Sequence, residues 1–233
     1  PAPDPAPVRW AARPGGSLSS GASRAGVTIV TTSRRMLVAY GPDGQWLWEA
    51  PLSDLTRVPP VLAGADTAVV VTLDGAVTGY DLTTGAERWR AGMGTEIRRA
   101  PLVAGDRILV ADAGGALSCF DLAGTELWTI DSGRVSALAV GAGPDPLVAV
   151  GRSDSLVVRA YSLADGGQLW QRRILEDAKE LVSLGDRFVL RDDDWLVGID
   201  AATGTPLWTA GVRSERAIGG GPVFKARDRG LQR

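Results

Sequence analysis

Few side chains in this chain have types and spacings suited to chemistry. There is no histidine and a single cysteine, Cys119. Histidine metal ligation, a Ser-His-Asp triad and the usual near-neutral general base therefore have no carrier. A thiolate zinc cluster lacks its ligands. The acidic run Asp192-Asp193-Asp194 has neither the Gly nor the bidentate Glu placed as an EF-type calcium loop requires, and it reads as a solvated turn. No catalytic residue, metal site or cofactor is expected.

What remains is basic. Arg57, Arg98 and Lys179 each fall nine residues after a tryptophan, Arg216 falls eight after one, and Arg99 adjoins Arg98. Guanidinium groups bind carboxylates in bidentate fashion, so these residues can hold an anionic ligand or an acidic partner segment. The competing reading is ordinary solvated surface, neutralised by Asp54, Glu96, Asp177, Glu180 and Glu215. The formal net charge of −2 gives no bulk electrostatic reason to expect nucleic acid or anionic membrane as partner.

The elements that must position these side chains are set by a repeat. Tryptophans stand at 10, 48, 89, 128, 170 and 208, spaced by 38, 41, 39, 42 and 38 residues. Before them recur Tyr40-Gly41-Pro42-Asp43-Gly44, Tyr80-Asp81-Leu82-Thr83-Thr84-Gly85, Phe120-Asp121-Leu122-Ala123-Gly124, Tyr161-Ser162-Leu163-Ala164-Asp165-Gly166 and Ile199-Asp200-Ala201-Ala202-Thr203-Gly204. The residue before each aromatic or Ile is small: Ala39, Gly79, Cys119, Ala160, Gly198. Cys119 thus reads as a small buried residue rather than a reactive thiol.

Each unit resolves into four short strands. Strand A opens at Pro60-Val61-Leu62 or Pro101-Leu102-Val103. Strand B is Ala68–Val71, Ile108–Val110, Leu147–Val150 or Phe188–Leu190. Strand C ends in the aromatic, and strand D ends in the tryptophan. Runs of β-branched and apolar residues bounded by Gly/Asp turns are strands, and four strands per unit of about 40 residues is the period of a β-propeller blade. The expectation is an all-β propeller of four-stranded antiparallel blades. Trp10, Trp48, Trp89, Trp128, Trp170 and Trp208 fill the wedges between blades. Trp46 and Trp195 are off the pattern, and Trp195 is expected near the turn between strands B and C as an exposed contact.

Five complete units are flanked by Val8-Arg9-Trp10, a lone strand D, and Gly221-Pro222-Val223-Phe224, a lone strand A. An irregular six-bladed ring and a fragment of a seven- or eight-bladed one both fit. Residues 1–7 read as a Pro-rich linker before a domain spanning 8–233. They suit a position after a removed signal, a lipid anchor, a membrane helix or another domain. No apolar run reaches the roughly 18 residues that span a bilayer. All but two of the 25 basic residues are arginines, the exceptions being Lys179 and Lys225, a bias that suits a GC-rich, actinobacterial genome.

The repeat resembles that of the pyrroloquinoline-quinone (PQQ)-type propellers, Gly-x-Leu-Tyr-Ala-Leu-Asp-x-x-Thr-Gly-x-x-Leu-Trp. Leu196 through Trp208 matches it best, and residues 75 to 89 come next. The resemblance implies the fold over nearly all of residues 8 to 224. For function it implies three readings. The first is a non-enzymatic scaffold that docks protein partners through its loop face, extracytoplasmic or tethered to the envelope, in the manner of barrel-assembly lipoproteins. The second is a quinoprotein oxidoreductase or its remnant, but the vicinal cysteine pair and calcium ligands found in such enzymes are missing. The third is the sensor domain of a membrane Ser/Thr kinase. The scaffold is expected, because histidine, metal ligands and a convergent carboxylate pair are all missing from the sequence, and analogy with the family supplies the rest.

Overall fold

The computed structural model describes residues 10–141, 147–152, 157–173, 179–191 and 195–211. Every regular element among them is a strand. The first sheet contains β1 (Leu18–Arg24), β2 (Val27–Thr32), β3 (Met36–Tyr40) and β4 (Trp46–Pro51). The second contains β5 (Val61–Ala63), β6 (Thr67–Val71), β7 (Ala76–Asp81) and β8 (Glu87–Gly92). The third contains β9 (Leu102–Ala104), β10 (Arg107–Ala111), β11 (Ala116–Asp121) and β12 (Glu126–Asp131). The fourth contains β13 (Val135–Val140), β14 (Leu147–Arg152), β15 (Val157–Ser162) and β16 (Gln168–Arg173). The fifth contains β17 (Glu180–Ser183), β18 (Arg187–Arg191), β19 (Trp195–Asp200) and β20 (Pro206–Gly211).

In all five sheets the strands lie side by side in chain order. This is the antiparallel meander of a propeller blade, so the expected all-β architecture is observed. Internal contacts divide the chain between Leu127 and Trp128 into two compact units. Residues 1–9, including Val8 and Arg9, lie outside the described residues, as do Asp192–Asp194, Arg216 and Gly221–Phe224.

The small residue before each aromatic has a direct steric reason. It is paired across the sheet with the tryptophan of the fourth strand: Ala39 with Trp48, Gly79 with Trp89, Ala160 with Trp170, Gly198 with Trp208. A Cβ on Gly79 would overlap the Trp89 indole. Sequence reading ended strand D at the tryptophan, whereas the strand runs three residues further in every sheet. The ladder continues because residues such as Leu37 and Ala50 still pair beyond it. Just before the tryptophan the register slips by one. Leu47, Arg88, Leu169 and Leu207 are the extra residues of these bulges, which add twist to the edge strand.

The core lies between successive sheets. In the first unit, Val69, Val71, Val77 and Trp89 of the second sheet meet Ile108, Val110 and Phe120 of the third. In the second unit, Ala149, Val158, Ala160 and Trp170 meet Phe188, Leu190 and Ile199. The tryptophan is the repeated link in these contacts. Its indole N–H donates to a backbone carbonyl in the third-to-fourth strand turn of the following sheet. The pairs are Trp48 to Leu82 (3.0 Å), Trp89 to Leu122 (3.0 Å), Trp128 to Leu163 (3.1 Å) and Trp170 to Ala201 (2.9 Å). The same indole lies over the glycine of that turn: Gly85, Gly124, Gly166 or Gly204. Trp10 lies over Gly44 in the same way and sits 6.1 Å from the Tyr40 ring.

Gly124 is required twice, by its φ of +82° and by the Trp89 ring against it. Gly124→Ala is expected to cost about 2–4 kcal/mol, from left-handed strain and overpacking together. Gly92→Ala, which meets nothing within 4 Å, is expected to stay within about 0.5 kcal/mol of wild type. Urea unfolding midpoints of the two variants check the contrast.

Candidate functional site

The connections from a fourth strand to the next first strand are pinned before they reach their arginines. After β4, Leu52 N–H donates to Arg35 O and Leu73 N–H donates to Leu55 O. The Ser53 and Thr72 hydroxyls share a 3.1 Å hydrogen bond, and the Thr72 hydroxyl donates to Asp74. After β8, Met93 N–H donates to Gly75 O and Ala113 N–H to Glu96 O. The Thr95 hydroxyl donates to the buried Asp112 carboxylate, whose other oxygen accepts from Gly115 and Ala116 N–H at 2.8 Å. Each connection is thereby zipped to the second-to-third strand turn of the following sheet.

Thr56 and Ile97 then turn inward at corresponding positions, and both are buried. Ile97 joins the apolar core between the second and third sheets. The next residue, Arg57 or Arg98, is exposed. The shared nine-residue offset thus has a structural basis: a buried anchor one residue earlier, on loops held by side chains and backbone.

Arg98 is paired with Glu96 at 2.7 Å, and that hydrogen bond raises its pKa. Arg57 makes no hydrogen bond or ion pair among the described residues. Arg99 is exposed as a residue, yet desolvation pulls its guanidinium below the ordinary arginine value. These three arginines belong to the first unit. Lys179 belongs to the second, where it is exposed and its N–H donates to Arg191 O at 3.0 Å. Beside it, Glu180 and Arg191 pair at 2.7 Å. Arg216 is outside the described residues. Trp195 opens β19 and is 37% exposed, and Trp46 opens β4 at 59%.

Sequence reading missed Arg35. It occupies the turn position held by Gly75 and Gly115, with φ of +58°, and it reaches Asp54 at 3.4 Å. Alignment of the three second-to-third strand turns would have exposed it as a non-glycine at a left-handed position. It also missed Ile97, Thr72 and Asp112 as the parts that fix the loops.

Of the other titratable groups, an acidic pair on the second sheet and the cysteine are each held in one protonation state near neutrality. On the second sheet, the Arg88 guanidinium bridges Asp66 and Asp81 and also donates to Thr67. That contact holds Asp66 below its usual value, and with the Thr84 and Thr83 amides it brings Asp81 down to about 2. Neither carboxylate can serve as a proton donor near neutrality. Cys119 is fully buried, and desolvation pushes its thiol up to about 11. No group of three or more His, Cys, Asp or Glu side chains among the described residues is placed to hold a metal ion. Among the described residues no helix is long and apolar enough to cross a membrane.

Five four-stranded meanders, the first four each docked by a tryptophan on the glycine turn of the next, define a PQQ-type β-propeller. The family model described as "Outer membrane protein assembly factor BamB" matches residues 7–117, 36–188 and 114–222. The chain belongs to this BamB family. The outer membrane protein assembly factor BamB of Burkholderia pseudomallei (strain K96243) is 26% identical over 229 residues, 90% of this chain and 59% of that protein. The crystal structure of BamB from Moraxella catarrhalis superposes with a TM-score of 0.66 at 20% identity, covering 86% of this chain and 66% of that one. A europium-containing methanol dehydrogenase superposes equally well, at 0.67 and 15% identity over 87% and 53% of the two chains. The chain thus spans 59% of its curated relative's length. The two structural likenesses concern the fold alone, since it is shared by an assembly factor and an enzyme.

Two predictions follow from the ionisable groups. The lowered Asp81 pKa adds stability that is complete above about pH 4 and fades as pH falls toward about 2. Arg88→Met should flatten the decline of the urea midpoint over that window and leave the profile above it parallel to wild type. Cys119 should react with a thiol reagent such as DTNB only in denaturant, so labelling of the native protein at pH 8 would contradict its burial.

Proposed function

We propose that this chain is a non-enzymatic propeller of the cell envelope that docks a protein partner through the connections following its fourth strands. The observation that carries this reading is Arg57 and Arg98. They project to solvent at the same position on two successive loops, each loop tied by hydrogen bonds to the next sheet. Guanidinium groups carried on loops fixed in this way suit carboxylates, so the partner segment is acidic. Arg99 and Lys179 extend the basic character, each on its own unit. Trp195 offers an apolar anchor of the kind enriched at the centres of interfaces.

Family membership supports the envelope location and the role as a binding scaffold, because the relatives are named as outer membrane protein assembly factors. The depressed carboxylates and the buried, protonated Cys119 are consistent with a surface that binds rather than reacts.

The test is the double charge reversal Arg57→Glu/Arg98→Glu. A charge-assisted hydrogen bond is worth about 1.5–3 kcal/mol. Loss of both is therefore expected to weaken binding to the envelope partner on the order of 100-fold or more. The wild-type affinity should also fall with added salt. Unchanged affinity in the reversed variant overturns the reading. So does dye-linked alcohol oxidation by the wild-type chain supplied with PQQ and calcium.

A further inference from the structure

The turn between β2 and β3 has the same hydrogen bonds as the turn between β6 and β7, with one telling exchange of residue. In each, the amide of the fourth residue donates to the carbonyl of the first at 3.1 Å: Arg35 to Thr32, and Gly75 to Thr72. The carbonyl of that fourth residue then accepts from the connection after the sheet's last strand. Arg35 O accepts from Leu52 N–H at 2.8 Å, and Gly75 O accepts from Met93 N–H at 2.9 Å. The φ angles are +58° at Arg35 and +84° at Gly75. Glycine enters this left-handed region freely, whereas a residue with a Cβ enters it at a cost. These bonds use main-chain atoms alone, which glycine supplies in the second sheet, so they give no reason for an arginine.

The ion pair with Asp54 gives no reason either. The Arg35 side chain is 57% exposed and that of Asp54 30%, and the contact is 3.4 Å. Exposed pairs contribute little to stability, and this one is longer than the roughly 2.7–2.9 Å of a charge-assisted hydrogen bond. Glu96, by comparison, holds Arg98 at 2.7 Å. Asp54 lies on the connection that carries Arg57 three residues later, so the Arg35 guanidinium stands beside the docking loop. Arg34 is exposed as well, and it puts a positive charge where the turn of the second sheet has Asp74. A strained side chain that the fold does not use is the mark of a functional position.

We propose that Arg35 is a further contact for the acidic partner segment, and that Asp54 is the internal carboxylate it exchanges for one of the partner's. This role rests on the docking of an acidic segment by Arg57 and Arg98, and it extends the surface from the connections to the turn of the first sheet. In the free protein Asp54 keeps the guanidinium beside its loop through a single long contact. An arriving carboxylate with both oxygens available fills the planar fork of the guanidinium with two hydrogen bonds, so the exchange favours the partner.

The decisive variant is Arg35→Gly, which installs the residue that Gly75 and Gly115 supply in the sister turns. Binding of a fluorescent oligoglutamate peptide at low ionic strength is followed by anisotropy for the wild-type chain, for Arg35→Gly and for Arg57→Glu/Arg98→Glu. Arg35→Gly is expected to weaken the peptide about tenfold, while its thermal midpoint stays unchanged or rises by up to ~3 °C. Wild-type affinity in Arg35→Gly, with weakening in the double reversal, overturns this inference alone. Wild-type affinity in both variants overturns the docking reading as well. A lowered midpoint in Arg35→Gly makes the side chain a structural element and also overturns the inference. Asp54→Asn should tighten the peptide in the wild-type background and do so less beside Arg35→Gly. Equal tightening in both backgrounds overturns the exchange with Asp54.

Discussion

Every joint between successive sheets within the two units depends on one indole placed over one glycine. The hydrogen bond from the indole to the turn carbonyl contributes about 1 kcal/mol. Its larger effect is geometric. The donor fixes where the turn sits, the ring forbids a Cβ on the glycine, and the small residue across the ladder gives the ring its depth. The valine, isoleucine and phenylalanine contacts then interdigitate in the wedge that remains. A sheet of four short strands cannot bury both faces alone, so blade and joint stand or fall together.

The periodicity of the joint made the fold legible in the sequence. Tryptophans at a near-constant interval, glycines before them and small residues before the aromatics are three views of one contact. Sequence pattern could register all three without revealing the contact itself. The bulge at Leu47, Arg88, Leu169 and Leu207 escaped, because a one-residue slip in register leaves no mark on composition. The length of the fourth strand escaped for a related reason: a tryptophan reads as a terminus when its strand partners are unknown.

The candidate site was legible in part. The nine-residue offset of Arg57 and Arg98 survives because their two loops have the same design, with a buried Thr56 or Ile97 one residue earlier. Nothing in the sequence distinguished that anchor from loop filler, or Asp112 from a solvated acid. Arg35 went unseen because its significance lies in backbone conformation: it takes the left-handed φ that Gly75 and Gly115 take in the sheets that follow. Charge spacing can therefore be read from a repeat, while the local clamps that aim each charge emerge only from hydrogen bonding.

The bulges also bear on how the protein behaves in a crowded compartment. The fourth strand is the free edge of its sheet, and a flat, fully paired free edge invites strands from other molecules, which leads to fibrous aggregation. A residue inserted into that edge in the first, second, fourth and fifth sheets spoils the straight row of amide and carbonyl groups on which a foreign strand would register. The slip that seats the tryptophan thereby also protects the sheet from sideways growth.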